Sequence, residues 1–541
     1  MTFPIADVPD AWARHEHYVL RLLWRLSRRP GDEVLRTPRE SSDGASLARE
    51  VCALAATLRR VGTGPGTTVA VLTEPNHPAM PAARWAAHLL GACVVHIRAT
   101  NPRSDTVTLS TDTRLRVLAE TGATVLVTDA GHAEQAAELV RRAPGPLRLV
   151  GVGTRAPGTA TSGDDGLVRP GDLPAHDPAR RAVVAFTSGS TGEPKGIVQS
   201  FATWNAIVNS FPGGTEPGER TGILVVTPLA HTVGSMVDAV LCDGGRAVLH
   251  EGFDPGEVLR AFGSGTITDA YLAVPHLYAL IDHPALPDTD LSRLRRVVYS
   301  GTPASPRRIA EAHRVFGDCL IQLYGTTEAG GISGLTPLDH REPELLSSVG
   351  RPFPWVRVVI RDPDTGAEVP RGETGEVVVE APTVMDGYLS DPAPTWPTGP
   401  DPEETGLRTG DLGHWDVYGY LHLDGRVGQV IKSGGLKIHP TAVEQALLTH
   451  PGVAQAVVYG VRAEDLTEYV HAIVVPRPGA APTADELRSL VGTTLSPLHT
   501  PTEITFREVL PLTERGKPDR AGLRSRTGGK PDNGSSWKGT T

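Results

Sequence analysis

A run of small hydroxyl residues and glycines, Thr187-Ser188-Gly189-Ser190-Thr191-Gly192-Glu193-Pro194-Lys195-Gly196, directly follows the apolar stretch Ala182–Phe186. A strand that feeds such a loop is suited to cradling phosphate. Glycine lets backbone N–H groups approach oxygens closely, Ser and Thr add donors, and Lys195 adds charge. It is not a Walker loop, because Lys195 follows proline and precedes glycine instead of Ser or Thr. Other residues able to do chemistry lie far apart along the chain: His231, Tyr324, Glu328, Asp411 and Lys517. Taken singly, Asp411 reads as a turn residue, Lys517 as a solvated lysine, Tyr324 as core and His231 as a packed histidine. By residue type alone, only the phosphate loop stands out.

The elements around that loop alternate between two periods. Leu47, Val51, Leu54 and Leu58 recur at spacings of three and four and predict an amphipathic helix. Thr68–Leu72 predicts a strand, Ala83–Leu90 a helix, Cys93–Ile97 a buried strand, Arg114–Thr121 a helix and Thr124–Thr128 a strand. Such alternation implies parallel strands and an α/β fold. Ala156–Pro178, rich in Gly, Asp and Pro, reads as a surface connection. Further strands are expected at Ala182–Phe186, Ile223–Val226, Ala247–His250, Ala270–Ala273, Arg296–Tyr299 and Leu320–Leu323. The short segments Arg357–Arg361, Gly375–Glu380 and Gly419–Leu423, with Gly- and Pro-bearing turns, suit a small antiparallel barrel or sheet. After Arg426 come a helix near Thr441–Leu448 and strands near Val453–Tyr459 and Tyr469–Val475.

Bulk properties exclude several classes. At 541 residues, two or more domains are expected. A formal net charge of −10 gives no electrostatic reason to expect nucleic acid or an anionic membrane as partner. The four cysteines, Cys52, Cys93, Cys242 and Cys319, are scattered. A disulfide framework or zinc site is not expected, and a reducing cytoplasm fits. The N-terminus lacks a basic-then-apolar signal pattern, and no apolar run reaches membrane-spanning length.

The loop Thr187–Gly196 resembles the signature of the adenylate-forming superfamily: acyl- and aryl-CoA ligases, luciferases and peptide-synthetase adenylation domains. Further blocks match in the family's order. They are Pro228–Gly234 with its histidine, Ser300-Gly301-Thr302-Pro303, Tyr324-Gly325-Thr326-Thr327-Glu328, Arg408-Thr409-Gly410-Asp411, Gly425-Arg426, Ser433–Lys437 and Thr513–Lys517. The resemblance covers roughly residues 20 to 525. It implies a large multi-layer α/β N-terminal domain with a small β subdomain (1–424), a hinge (425–429) and a small mobile α+β C-terminal domain (430–526), and the Gly-, Ser- and Lys-rich composition of 527–541 reads as a disordered tail. It also implies an active site at the junction of the domains. ATP and Mg2+ are implied, with CoA as co-substrate.

The resemblance implies a role for each matched residue. Thr187, Ser188, Gly189, Ser190, Thr191, Gly192, Lys195 and Thr327 would bind phosphate, and Glu328 with Thr191 would hold magnesium. Gly301, Thr302, Pro303, Tyr324, Gly325, Asp411 and Arg426 would hold adenine and ribose. Lys517, His231 and Glu328 would be catalytic. Gly428, Lys432, Gly434, Gly435 and Lys437 would serve the C-terminal domain and the acceptor. Trp204, His231, Thr232, Met236, Gly330 and Gly331 would line the acid pocket. Because Thr326–Gly331 is mostly small, room is expected there. The chemistry demands such a set, since a carboxylate must meet the α-phosphate of ATP and both are negative.

Two departures from the family pattern stand out. Gly428 replaces the usual acidic hinge residue, and the stretch 95–104 carries Arg98 and Arg103, which read as a solvated loop but are able to neutralise an anion. The main expectation is a stand-alone acid:CoA ligase. One alternative keeps the scaffold and activates nitrite for an aryl amine, as ATP-dependent diazotases do. Another is a non-catalytic nucleotide-binding paralogue, against which Lys517, Glu328 and Asp411 argue.

Overall fold

The computed structural model describes residues 8–98, 108–154, 160–161, 166–188, 194–211, 220–390, 406–433, 436–462, 468–510 and 523. Its chain falls into two compact units. The first comprises Met1–Ala304, Arg308–Val358 and Val379–Thr409, and the second comprises Ser305–Arg307, Val359–Val378 and Gly410–Thr541.

Two sheets build the first unit. One has eight strands, in the order Gly387–Tyr388, Pro194–Ser200, Arg181–Ser188, Cys93–His96, Thr68–Leu72, Ala123–Thr128, Arg148–Gly151 and Ala160–Thr161. From Arg181–Ser188 to Ala160–Thr161 its neighbours run parallel. Pro194–Ser200 turns back antiparallel on Arg181–Ser188. The other sheet has nine strands, running from Arg351–Pro352 through Gly330–Leu335, Leu320–Thr326, Arg296–Ser300, Asp269–Ala273, Gly222–Val225, Arg246–Leu249 and Glu33–Arg36 to Ser41–Asp43.

The strands are apolar without alternation because both faces are covered. Val69 and Val71 enter one core and Ala70 and Leu72 another, as the two-residue period of a strand requires. Ile223 and Val225 join that same first core from the second sheet, while Leu224 and Val226 face a third. The shared core is filled by the helices Tyr18–Arg28, Gly44–Arg60, Ala79–Leu89 and Thr232–Cys242. Helix Gly44–Arg60 starts where the Asp43 carboxylate accepts from the Ser46 amide, and its Leu47, Val51, Leu54 and Leu58 are fully buried. The predicted parallel α/β order is thus present, with antiparallel strands at one margin of the eight-stranded sheet and at both margins of the nine-stranded one.

In the second unit lies most of a four-stranded sheet, ordered Arg357–Arg361, Gly375–Glu380, Leu407–Trp415 and Leu421–Arg426. Beyond it come the antiparallel ribbon Ile431–Ser433 with Leu436–Ile438 and a sheet of Val453–Arg462, Glu468–Pro476 and Glu503–Phe506. Helices Pro440–Leu448 and Ala484–Thr494 pack on that sheet through Val443, Leu447, Leu487 and Val491. The fold is a mixed α/β architecture with a large N-terminal and a small C-terminal part. All four cysteines are free, and burial pushes each thiol up to about 12. Among the described residues no helix is long and apolar enough to cross a membrane.

Candidate active site

The phosphate segment is a hairpin. Thr187 stands opposite Lys195 and Ser188 opposite Pro194. Gly189, Ser190, Thr191 and Gly192 lie outside the described residues, as do Gly434, Gly435, Arg103 and Lys517. The Lys195 ammonium sits 5.4 Å from the centre of the Tyr388 ring. Burial and the nearby Glu328 charge raise the Tyr388 phenol above its ordinary value. Lys195 and Glu328 therefore converge on one aromatic ring.

Main-chain bonds hold Glu328 there. Its carbonyl accepts from the Met385 amide at 2.7 Å, and the Ala329 carbonyl accepts from the Thr383 hydroxyl at 2.7 Å. The Gln199 amide side chain reaches the Thr327 carbonyl at 3.5 Å. Thr326 caps the turn by accepting from the Ala329 amide. Tyr324 is only 9 % exposed at the end of its strand. The turn Gly301–Pro303 follows Ser300, which pairs with Leu323, so it leaves the sheet beside Tyr324. Gly301 takes φ +97°, a conformation that suits glycine.

The small residues of this turn have a different reason from the expected one. A Cβ on Gly325 would collide with the Gly330 carbonyl. A Cβ on Gly330 would meet Thr383 Cβ at 3.0 Å, and one on Gly331 would meet Leu323 and Phe353 at 3.3 Å. Close packing of the Leu320–Thr326 and Gly330–Leu335 strands requires these glycines. The side-chain space they leave is already filled, so they do not widen a pocket.

His231 precedes the helix Thr232–Cys242, and its carbonyl accepts from the Gly234 amide at 2.8 Å. Its corner is built on buried charge. Arg84 donates to Asp238 at 2.8 Å, to the Gly234 carbonyl at 3.3 Å and to the Leu229 carbonyl at 3.5 Å. Asp238 also accepts from the Trp85 indole at 2.8 Å. Burial pushes the Asp238 carboxyl up, and Arg84 opposes that rise. The Arg84 guanidinium lies 5.3 Å from the Trp204 ring centre. Gly234 has no room for a Cβ against the Leu229 carbonyl. Burial lowers the His231 imidazole to about 4, so it is neutral at pH 7. Of the expected acid-pocket residues, Trp204 and Met236 are each 7 % exposed, whereas Thr232 is exposed.

In the second unit, Asp411 is 6 % exposed and accepts from Arg426 Nε at 2.7 Å, its register partner across the Leu407–Trp415 and Leu421–Arg426 strands. Glu376 accepts from the Gly410 amide at 3.0 Å and steadies that strand. Gly428 lies in the exposed turn Val427–Gln429, with nothing within 4 Å of a built Cβ. Lys432 and Lys437 are register partners in the following ribbon.

The sequence reading missed three features. Arg84 and Asp238 were hidden inside apolar helices 154 positions apart. His96 was taken as part of a strand. Arg98 is not a solvated loop residue: its side chain is 17 % exposed and it pairs with Glu74 at 3.0 Å. A polar residue inside an otherwise apolar helix was the available signal for Arg84.

Comparison with known proteins identifies the family. The AMP-binding enzyme model matches residues 22–389, and the AMP-binding enzyme C-terminal domain model matches residues 442–517. A feruloyl-CoA synthase from an Amycolatopsis species is 35% identical over 90% of this chain and 94% of its own length. Indoleacetate–CoA ligase of Aromatoleum aromaticum is 32% identical over 92% and 95%. Among solved structures, amide bond synthetase McbA of Marinactinospora thermotolerans superposes with a TM-score of 0.84, 36% identity and coverage of 94% and 99%. The chain belongs to the AMP-binding enzyme family, the adenylate-forming superfamily of AMP-forming ligases.

Proposed function

We propose that the chain activates a carboxylic acid as an acyl adenylate with release of pyrophosphate, and then passes the acyl group to CoA. The observation that carries this reading is the convergence of Lys195 and Glu328 on Tyr388 at the phosphate hairpin. Full-length similarity to CoA ligases supports it.

In this reading the hairpin holds the ATP phosphates, Asp411 takes the ribose and Tyr324 borders the adenine. Glu328 offers a half-buried hard oxygen beside the phosphate site. That suits Mg2+, which binds through one or two carboxylates together with substrate phosphates. Bound there, the ion would supply charge neutralisation. Lys517 places an ammonium at the α-phosphate, and neutral His231 borders the acid. Residues 430–526 bring Lys432, Lys437 and Lys517, with 425–429 as the turning point.

A second reading keeps the adenylation step and replaces CoA by an amine. The 36% identity to an amide bond synthetase favours it. Nitrite as the activated anion gains less support, because Arg98 is already balanced by Glu74. ATP–pyrophosphate exchange with fatty acids, benzoates, cinnamates and nitrite tests the first step. Mass spectrometry of products formed with CoA or with a panel of amines tests the second. Exchange with acids and a thioester product supports the main reading. An amide product selects the second reading, and exchange with nitrite alone overturns both.

A further inference from the structure

Beside His231 lies a small cavity of about 30 Å³ at the carboxyl ends of the parallel strands Thr68–Leu72 and Cys93–His96. In open α/β sheets, ligands bind outside that edge. Its lining includes Thr73, Glu74, His96, Arg98 and His231, with Met80 among the apolar walls. The volume admits a small polar substituent.

The two imidazoles here are half-buried and differ from the fully buried His17 and His88 of the same unit. His88 uses both ring nitrogens, with the Tyr18 hydroxyl at 2.9 Å and the Ala182 carbonyl at 3.0 Å. His17 reaches the His88 carbonyl at 3.0 Å. Among the described residues, neither the His96 nor the His231 ring has a hydrogen-bond partner. Both line one cavity, and His96 feels the His231 ring electrostatically. Both rings are half-buried, so their nitrogens stay available to a group that enters the cavity.

We propose that the cavity between His96 and His231 is a specificity subsite that receives an uncharged hydroxyl or amino substituent of the acid substrate. This rests on the reading that the chain adenylates an acid bordered by His231. The chemistry of the walls selects an uncharged group. Arg98 is matched by Glu74, and Arg84, whose charge His96 feels, is matched by Asp238. Among the described residues that line the cavity, no surplus cation awaits a second carboxylate. Burial holds His96 at about 3 and His231 at about 4, so each ring offers one donor and one acceptor at pH 7. A hydroxyl or amine, itself both donor and acceptor, answers that pair.

Pyrophosphate exchange by the full-length enzyme tests this with matched acids: benzoate against its hydroxy and amino derivatives, and cinnamate against its own. Sites built to bond a substrate hydroxyl reject the analogue that lacks it, so kcat/KM for the best substituted acid should exceed that for its parent by about 100-fold or more. In His96→Leu the ratio should collapse to within about threefold of one, while His96→Gln, which keeps a donor and an acceptor, should hold it above about tenfold. A wild-type ratio near one for every pair overturns the subsite, as does a ratio that His96→Leu leaves intact. If His96→Leu does not fold, the wild-type ratios and those of His96→Gln decide. Exchange with no acid at all removes the underlying reading and this proposal with it. Exchange with acids but without preference removes the subsite alone.

Discussion

The corner that carries His231 and the turn Val427–Gln429 are opposites. At the corner, Arg84, Asp238 and Trp85 are almost fully buried; Arg84 ties down the backbone at Leu229 and Gly234, and Asp238 accepts from both Arg84 and Trp85. Gly234 is there because nothing larger fits. At the turn, Val427 and Gly428 are exposed, and Gly428 has open space where a side chain would go. The same residue type thus answers two different demands. One glycine is forced by packing, and the other is permitted by its absence. Placement of a reacting group calls for the first kind of environment, and a change of backbone direction is compatible with the second.

The largest effect is expected at the corner. Arg84→Ala leaves Asp238 buried without its partner, which costs about 3–5 kcal/mol of stability. Urea unfolding should report it, and a loss below about 1 kcal/mol would show that the pair does not hold the corner. On the other side of the comparison, Lys517→Ala should slow pyrophosphate exchange about 100-fold or more, as for one oriented donor worth ~2.7–4 kcal/mol. That variant should still transfer from a chemically supplied acyl adenylate. Equal loss in both half-reactions would deny Lys517 its separate role.

The histidines make the contrast pH-dependent. His17, His88, His96 and His231 are all held neutral, chiefly by burial, with values lowered to about 3, well below normal, to about 3 and to about 4 respectively. The unfolded chain takes up protons there below about pH 6.5 and the folded chain does not, so stability should fall as pH drops. The slope is on the order of 1 kcal/mol per pH unit for each such group between pH 6.5 and 4.5. His414, raised by its bond to Asp424, has the opposite sign: its contribution is present below its unfolded pKa and is lost as pH rises. It stands alone against those four and against His176, His250, His340 and His471, which burial also lowers. Denaturation midpoints that stay flat from pH 7 to 5 would mean that the buried rings are not held neutral.

The smallest effects belong to the turn. Gly428→Ala should change stability by less than about 0.5 kcal/mol and leave both half-reactions alone. Gly428→Pro fixes φ and removes an N–H. If the turning point implied by the resemblance lies there, transfer fails while exchange survives. Full turnover in Gly428→Pro would set that implication aside.

Much of the framework was legible because apolar runs have a period. Thr68–Leu72 was bounded to the residue, and helix Gly44–Arg60 was announced by Leu47, Val51, Leu54 and Leu58. The strand Leu407–Trp415, which carries Asp411, was not, because LRTGDLGHW breaks its alternation with two glycines. Gly413 is needed there, since a Cβ would strike the His422 carbonyl. The site was readable as blocks along the chain but not as contacts. That Lys195 meets Tyr388, or that Arg84 braces the residues before helix Thr232–Cys242, depends on which strands and helices become neighbours, and no local pattern records that.

The four thiols, three buried and that of Cys242 half-buried, have a practical consequence. With their values pushed up to about 12, almost none is thiolate at neutral pH, and thiolate is the species that alkylating reagents capture. A single cysteine introduced on the surface, for instance by Gly428→Cys, would therefore outcompete all the natural ones for a maleimide dye. The wild-type background would then serve directly for fluorescence or spin-label measurements, without first stripping the chain of its own sulfur.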